Sequence, residues 1–243
     1  MAGVRRIAMW SGPRNISTAL LRSWGNRPDT FVCDEPLYAH YLRATGAPHP
    51  GADDILRCHE GDWRKVVAWL TTAVPPGKAV FYQKHMTHHL LPEIDRGWLD
   101  RVDNAFLIRE PREVVTSLAK VLERPCLEDT GYPQQGEIFD LVRKRTGRIP
   151  PVVDARDVLE DPRRLLRLLC EALGVEFTET MLSWPPGPRP TDGVWAPHWY
   201  GALLKTTTFE PYRPRDEPVP DHVAGLLGEA EAVYRRLHEH RLR

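Results

Sequence analysis

At 243 residues the chain is long enough to bury a sizeable core, and it suits one α/β domain or at most two small ones. Its 33 Lys and Arg residues balance 33 Asp and Glu residues, which excludes the broad basic field of a general nucleic-acid binder but leaves room for a local anion site. No apolar run is long enough for a transmembrane helix, and the run after Arg5-Arg6 breaks at Ser11-Gly12-Pro13, too soon for a signal-peptide core, so the cytoplasm is the expected compartment.

The stretch from Arg6 to Trp24 organises the rest. A short apolar run, Ile7 to Trp10, meets the turn Ser11-Gly12-Pro13, and Ser17-Thr18 open a helical pattern carrying Leu20, Leu21 and Trp24. Strand, turn and helix N-terminus bring unpaired backbone N–H groups and the positive end of the helix dipole to one point, which is a phosphate- or sulfate-binding layout. Arg14 adds a fixed positive charge inside the turn.

Gly25-Asn26-Arg27-Pro28 stops that helix. Thr30 to Asp34 reads as a buried strand followed by Glu35-Pro36-Leu37. Residues 44 to 61 have no periodicity and read as loop. Asp62 is placed to cap a helix with Val66, Val67 and Leu70 on one face. Ala79 to Gln83 is a third strand running into Lys84-His85, with a short helix or turn at His88-His89. Asn104 to Ile108 is a fourth strand with Arg109 at its carboxyl end, and Pro111 then starts a helix with Val114, Leu118, Val121 and Leu122 inward.

Residues 125 to 136 read as loop, and Glu137 to Arg145 as a short helix stopped by Gly147. Pro151 to Ala155 is the fifth strand, and Asp161-Pro162 open a leucine-rich helix closed by Gly174. Residues 183 to 220 are dense in proline and too aromatic for a disordered linker, so they are expected to pack back over the chain. A final amphipathic helix is expected from about Asp221. Cys33, Cys58, Cys126 and Cys170 form no C-x-x-C pair, and reduced thiols are expected without a zinc site or disulfide framework.

Strands alternating with helices, with no hairpin turn pairs, predict a parallel sheet of about five strands with helices on both faces, in a single domain whose residues 183–243 form a loop-rich cover and a terminal helix. Ligands bind such sheets beyond the carboxyl ends of the strands. That places the turn at Ser11, Glu35, Lys84-His85 and Arg109 on one rim.

The Walker A pattern fails here: counted from Gly12, it would call for a glycine, a lysine and a hydroxyl residue where the chain has Ser17, Thr18 and Ala19. Instead Pro13-Arg14-Asn15-Ile16-Ser17-Thr18 matches four of the six positions of P-[KR]-S-G-[ST]-[ST], and Ile16 stands where glycine is usual. This resembles the phosphosulfate loop of sulfotransferases that use 3′-phosphoadenosine 5′-phosphosulfate (PAPS). Arg109-Glu110-Pro111 with Ser117 eight residues after the arginine resembles the same family's site for the donor's 3′-phosphate. Glu35-Pro36-Leu37 is similar to a segment of its carbohydrate-type members, and Lys84-His85 to the K-T-H segment of its cytosolic members. Asp157 to Pro162 (D-V-L-E-D-P) is similar to the family's usual run into its next helix.

The resemblance implies a P-loop-type three-layer α/β/α domain and a PAPS-dependent transferase acting on a small-molecule acceptor, with PAP as product and no metal required. It implies donor binding by Gly12, Pro13, Arg14, Asn15, Ile16, Ser17, Thr18, Arg109 and Ser117, and catalysis by Arg14, Glu35, Lys84 and His85. The base is left open between Glu35 and a histidine, because strand neighbours point to opposite faces and His88 or His89 stand as alternatives to His85. Lys205-Thr206-Thr207-Thr208 lie where family members return a C-terminal loop to the nucleotide. Two rivals remain: a small-molecule or nucleotide kinase, and a catalytically silent nucleotide-binding protein.

Overall fold

The computed structural model describes residues 3–214 and 217–243. In chain order the first half holds β1 (Arg5–Ser11), α1 (Ser17–Gly25), β2 (Thr30–Asp34), α2 (Tyr38–Thr45), α3 (Ala52–Cys58), α4 (Trp63–Thr72) and β3 (Val80–Met86). Then come β4 (Asp103–Ile108), α5 (Pro111–Leu118), α6 (Leu127–Thr130), α7 (Tyr132–Thr146), β5 (Val152–Asp154), α8 (Ala155–Glu160) and α9 (Pro162–Ala172). The last elements are α10 (Ala196–Trp199), α11 (Asp221–Ala224) and α12 (Leu227–His238).

The strands form one five-stranded sheet in the order β2-β3-β1-β4-β5, with every pair parallel. All five carboxyl ends therefore share one edge. In the central strand β1, Ile7, Ala8, Met9 and Trp10 are all fully buried, as an apolar run covered on both faces requires. Ile7 and Met9 pack with Leu20 and Trp24 of α1 and Leu165 and Leu166 of α9. Ala8 and Trp10 pack on the other side with Leu70 of α4, Ile138 and Phe139 of α7 and Leu237 of α12. Helix, sheet, helix is the three-layer arrangement that the alternation of elements predicts.

Local signals account for several helix ends. Asp62 accepts from the Arg64 N–H, Asp161 from the Arg164 N–H, and Gly147 closes α7 at φ 65°. Several expectations need correction. The helix from Pro111 ends at Leu118, which leaves Val121 exposed and Leu122 beyond it, and β5 gives way to α8 at Ala155. Residues 44–61 are not all loop: α2 runs to Thr45 and α3 occupies Ala52–Cys58, with Gly46 closing α2 and Gly51 opening α3 at positive φ, and both helices are too short to display a period. Nor are 125–136 loop, because α6 and the first turns of α7 fall there, with Pro133 tolerated in the first turn of α7. Strand β3 extends past Gln83 to Met86, so Lys84 and His85 lie within it. The terminal helix is divided into α11 and α12.

Of the segment 183–220, the stretch from Ser183 to Phe209 does pack back, as its aromatic content predicts. Ser183 pairs with Thr208 in an antiparallel bridge, the Trp184 and Phe209 rings meet edge to face at 5.1 Å, and Trp195 and Tyr200 are buried. Among the described residues no helix is long and apolar enough to cross a membrane.

The turn after β1 is pressed against the turn between α6 and α7. A Cβ on Gly12 would lie 2.6 Å from the Thr130 carbonyl oxygen, and Gly131, at φ 74°, has its Cβ direction filled by Thr87 Oγ1 at 2.5 Å and Gly12 Cα at 3.1 Å. Gly131→Ala combines a left-handed backbone penalty with a collision. It is expected to lower unfolding free energy by about 2–4 kcal/mol, read by urea denaturation.

Candidate active site

A cavity of about 600 Å³ opens at the carboxyl edge of the sheet. Its lining includes Pro13, Arg14, Asn15, Ile16, Ser17 and Thr18 from the first turn, and Glu35, Lys84, Arg109 and Ser117 from later strand ends. Gly12, predicted to bind the donor, does not line it, because it is spent on the close approach to Thr130.

The first turn is held from below. Asn15 Nδ2 donates to the Leu107 carbonyl at the end of β4 (3.3 Å), and Asn15 Oδ1 accepts from the Ile16 N–H (2.8 Å). Gln135 Nε2 of α7 donates to the same Leu107 carbonyl at 3.0 Å and to that of Trp10 at 3.3 Å, tying the ends of β1 and β4 together. The first hydrogen bond of α1 runs from Leu20 N–H to the Ile16 carbonyl, so the N–H groups of Ser17, Thr18 and Ala19 precede the helical ladder and face the turn. Ile16, the departure from the glycine-rich pattern, packs partly against the core of that face.

Two arginines and a serine meet beside this turn. Arg14 Nε donates to Ser117 Oγ at 2.9 Å, across 103 residues of sequence. Arg109 Nη1 donates to the Arg14 carbonyl at 2.7 Å, and its Nε donates to Glu113 Oε2 at 2.7 Å. Arg14 is at φ 55°, in the left-handed region that side chains disfavour.

On the other side of the cavity lies a buried ionic group. Asp34 and Lys84 are register partners on adjacent strands β2 and β3. Lys84 Nζ donates to Asp34 Oδ1 (2.8 Å), Glu35 Oε1 (2.5 Å) and the Tyr200 hydroxyl (3.0 Å), which engages all three of its N–H bonds. Tyr200 in turn donates to Asp34 Oδ2 at 2.6 Å and accepts from Trp195 Nε1 at 3.1 Å. Burial opposes the Lys84 ammonium, but the Asp34 and Glu35 carboxylates outweigh it and hold its pKa well above the ordinary lysine value. Burial pushes the Glu35 carboxyl above its usual range; Lys84 opposes that rise and Asp34 adds to it. Glu35 is at φ 42°, turned off the strand toward the cavity.

His85 is the predicted catalytic residue that the fold sends elsewhere. It alternates with Lys84 along β3, so its ring is on the opposite face, stacked on Trp10 at 4.4 Å and beside Trp98 at 5.6 Å, and it does not line the cavity. Burial drives its pKa down to about 3. His88 and His89 do line the cavity; burial lowers both, His88 to about 4. His89 stacks on Tyr38 and Tyr41, and its Nδ1 is 3.9 Å from Glu35 Oε2. Of Lys205 to Thr208, Thr206 and Thr208 line the cavity. Sequence reasoning missed Asp34 and Tyr200. Asp34 is legible as the last strand residue before Glu35, whereas nothing in the proline-rich cover singles out Tyr200. Among the described residues no group of three His, Cys, Asp or Glu side chains is placed to hold a metal ion.

Comparison with known families decides the kinship. The model of the sulfotransferase domain matches residues 5–239. This chain belongs to the sulfotransferase domain family. The family's fold recurs in the sulfotransferase domain from the curacin biosynthetic pathway (TM-score 0.56, 15% identity, 95% of this chain and 99% of that one). It recurs also in the sulfotransferase domain of the Synechococcus PCC 7002 olefin synthase (TM-score 0.55, 19% identity, 95% of this chain and 94% of that one). At those identities the likeness is one of fold. Two Arabidopsis thaliana proteins, branched-chain-amino-acid aminotransferase-like proteins 1 and 2, are 35% and 34% identical over 99% and 96% of this chain. The chain spans only 43% and 41% of their lengths, so those names describe much longer proteins.

Two variants check the electrostatics. Lys84→Met strands two buried carboxylates and is expected to lower stability at pH 7 by about 3–5 kcal/mol, measured by chemical denaturation. His85 stays neutral in the fold to about pH 3, while in the unfolded chain it takes up a proton near 6.5. Stability from this residue is therefore fully present above pH 6.5 and is lost as pH falls below it. His85→Phe keeps the aromatic stack and is expected to flatten the stability–pH slope between pH 6 and 4 by up to about 1.4 kcal/mol per pH unit.

Proposed function

We propose that the chain transfers a sulfuryl group from PAPS to a hydroxyl or amine of a small acceptor. The observation that carries this reading is the convergence of Arg14, Ser117 and Arg109 beside the α1 N-terminus, in the same cavity that Glu35 enters. A donor with phosphate at both its 5′ and 3′ positions needs two anion-binding points, and a simple triphosphate loop supplies one.

In this reading the turn from Pro13 to Thr18 holds the 5′-phosphosulfate on its amides, and Arg14 meets the negative charge that builds on the bridging oxygen as the sulfur–oxygen bond breaks. Arg109 and Ser117 hold the 3′-phosphate. Glu35 takes the acceptor proton; its raised pKa suits a base that must also release that proton, a contribution of roughly 10²–10⁴-fold. Lys84, with all three N–H bonds engaged, fixes and polarises Glu35. His85, facing the far side of the sheet, has no part in the step.

Thermal melting with PAP, PAPS, ATP and ATP–magnesium separates this reading from its rivals. A ligand at about 100 times its dissociation constant stabilises by about 2.7 kcal/mol, so PAP and PAPS are expected to raise the melting temperature and ATP–magnesium to leave it near that of the free chain. Arg109→Ala is expected to remove most of the PAP response. Glu35→Gln is expected to keep that response and slow transfer by at least about 10²-fold. A shift with ATP–magnesium and none with PAP would instead establish the kinase reading. PAP binding with no transfer to any acceptor would establish the silent one.

A further inference from the structure

Arg109 is fixed by a chain of contacts that begins in the C-terminal cover. A guanidinium has five N–H bonds in one plane. Arg109 Nε donates to Glu113 Oε2 at 2.7 Å, Nη2 lies 2.6 Å from the same oxygen in an ion pair, and Nη1 donates to the Arg14 carbonyl at 2.7 Å. The two hydrogen bonds leave N–H bonds on both terminal nitrogens, a pair of donors suited to two oxygens of one phosphate. Glu113 is itself buried, at 7% exposure, and its other oxygen, Oε1, accepts from the Tyr212 hydroxyl at 2.8 Å.

Tyr212 lines the cavity and carries the Arg156 guanidinium over its ring at 5.1 Å. Burial, reinforced by the Glu113 carboxylate, pushes its phenol up, so it remains the donor in that bond. Beyond it, Arg112 donates to the Glu217 carbonyl at 3.3 Å, a second tie between α5 and the cover.

We propose that Tyr212 and Glu113 form a relay that positions Arg109 for the 3′-phosphate of the donor: Tyr212 holds the Glu113 carboxylate, and Glu113 holds the guanidinium with its terminal N–H bonds toward the ligand. The proposal rests on the PAPS reading above. It makes Glu113 and Tyr212 positioning residues, with the cover segment acting on donor affinity through α5.

The competing account is that Glu113 merely occupies Arg109 until a phosphate displaces it. The two accounts predict opposite signs. Removing a negative charge beside an anion site strengthens anion binding by charge alone, whereas releasing the guanidinium from its orientation weakens it.

Isothermal titration of the full chain with PAP and with AMP, which lacks the 3′-phosphate, distinguishes them. The wild type is expected to prefer PAP. Glu113→Gln is expected to weaken PAP on the order of tenfold and to leave AMP within about twofold. Tyr212→Phe, which keeps both the ring and Glu113, is expected to weaken PAP by a smaller factor with the same selectivity, and it carries the test if Glu113→Gln does not fold. Tighter PAP binding in Glu113→Gln, equal loss for PAP and AMP, or no change in either variant would each overturn the relay. A wild type that does not distinguish PAP from AMP would overturn the PAPS reading itself, and the relay with it.

Discussion

A single buried ammonium holds one side of the cavity together. Lys84 is 1% exposed and is tolerable there because Asp34, Glu35 and Tyr200 satisfy each of its N–H bonds. That satisfaction depends on sheet register, since β2 and β3 pair so that Asp34 lies opposite Lys84 and the Glu35 N–H still reaches the Lys84 carbonyl at 2.9 Å. A slip of one residue would send Lys84 to the apolar face that now holds His85 and Trp10. The same ammonium draws in Tyr200 from the far end of the sequence and so fixes the cover over the cavity.

The two non-glycine residues described with positive φ are Arg14 and Glu35, each just past a strand end and each lining the cavity. Such conformations cost about 1–3 kcal/mol apiece and persist where neighbours hold them. The Arg14 carbonyl is held by Arg109 and the Glu35 carboxylate by Lys84, so each strained residue is restrained from another strand. Both residues turn off the sheet edge and line the same cavity.

The succession of five strands along the chain and the starts of α1, α4, α5 and α9 were legible because they rest on local physics: apolar runs, capping aspartates, and prolines at the first turn; the order of the strands within the sheet was not. Short helices such as α2, α3 and α6 were not, because seven or eight residues or fewer show no period and their ends depend on packing. The turn from Pro13 to Thr18, Arg109 and Ser117 were legible as a spacing, and the fold gathers them at one edge because parallel strands must end on the same side. The split between Lys84 and His85 was legible only as an either-or. Alternation says that neighbours diverge, but not which neighbour faces the cavity.

By itself, then, the sequence determined the layered α/β architecture, the rim on which a site must lie, and the residue types that suit an anion there, all through interactions spanning a few residues. Tertiary structure alone decided that Lys84 serves Glu35, that His85 joins the core, and that Tyr200 and Tyr212 reach back across 166 and 99 residues to Asp34 and Glu113. Those contacts join segments with no local signal for each other. They exist only once the sheet has set its register and the cover has closed upon it.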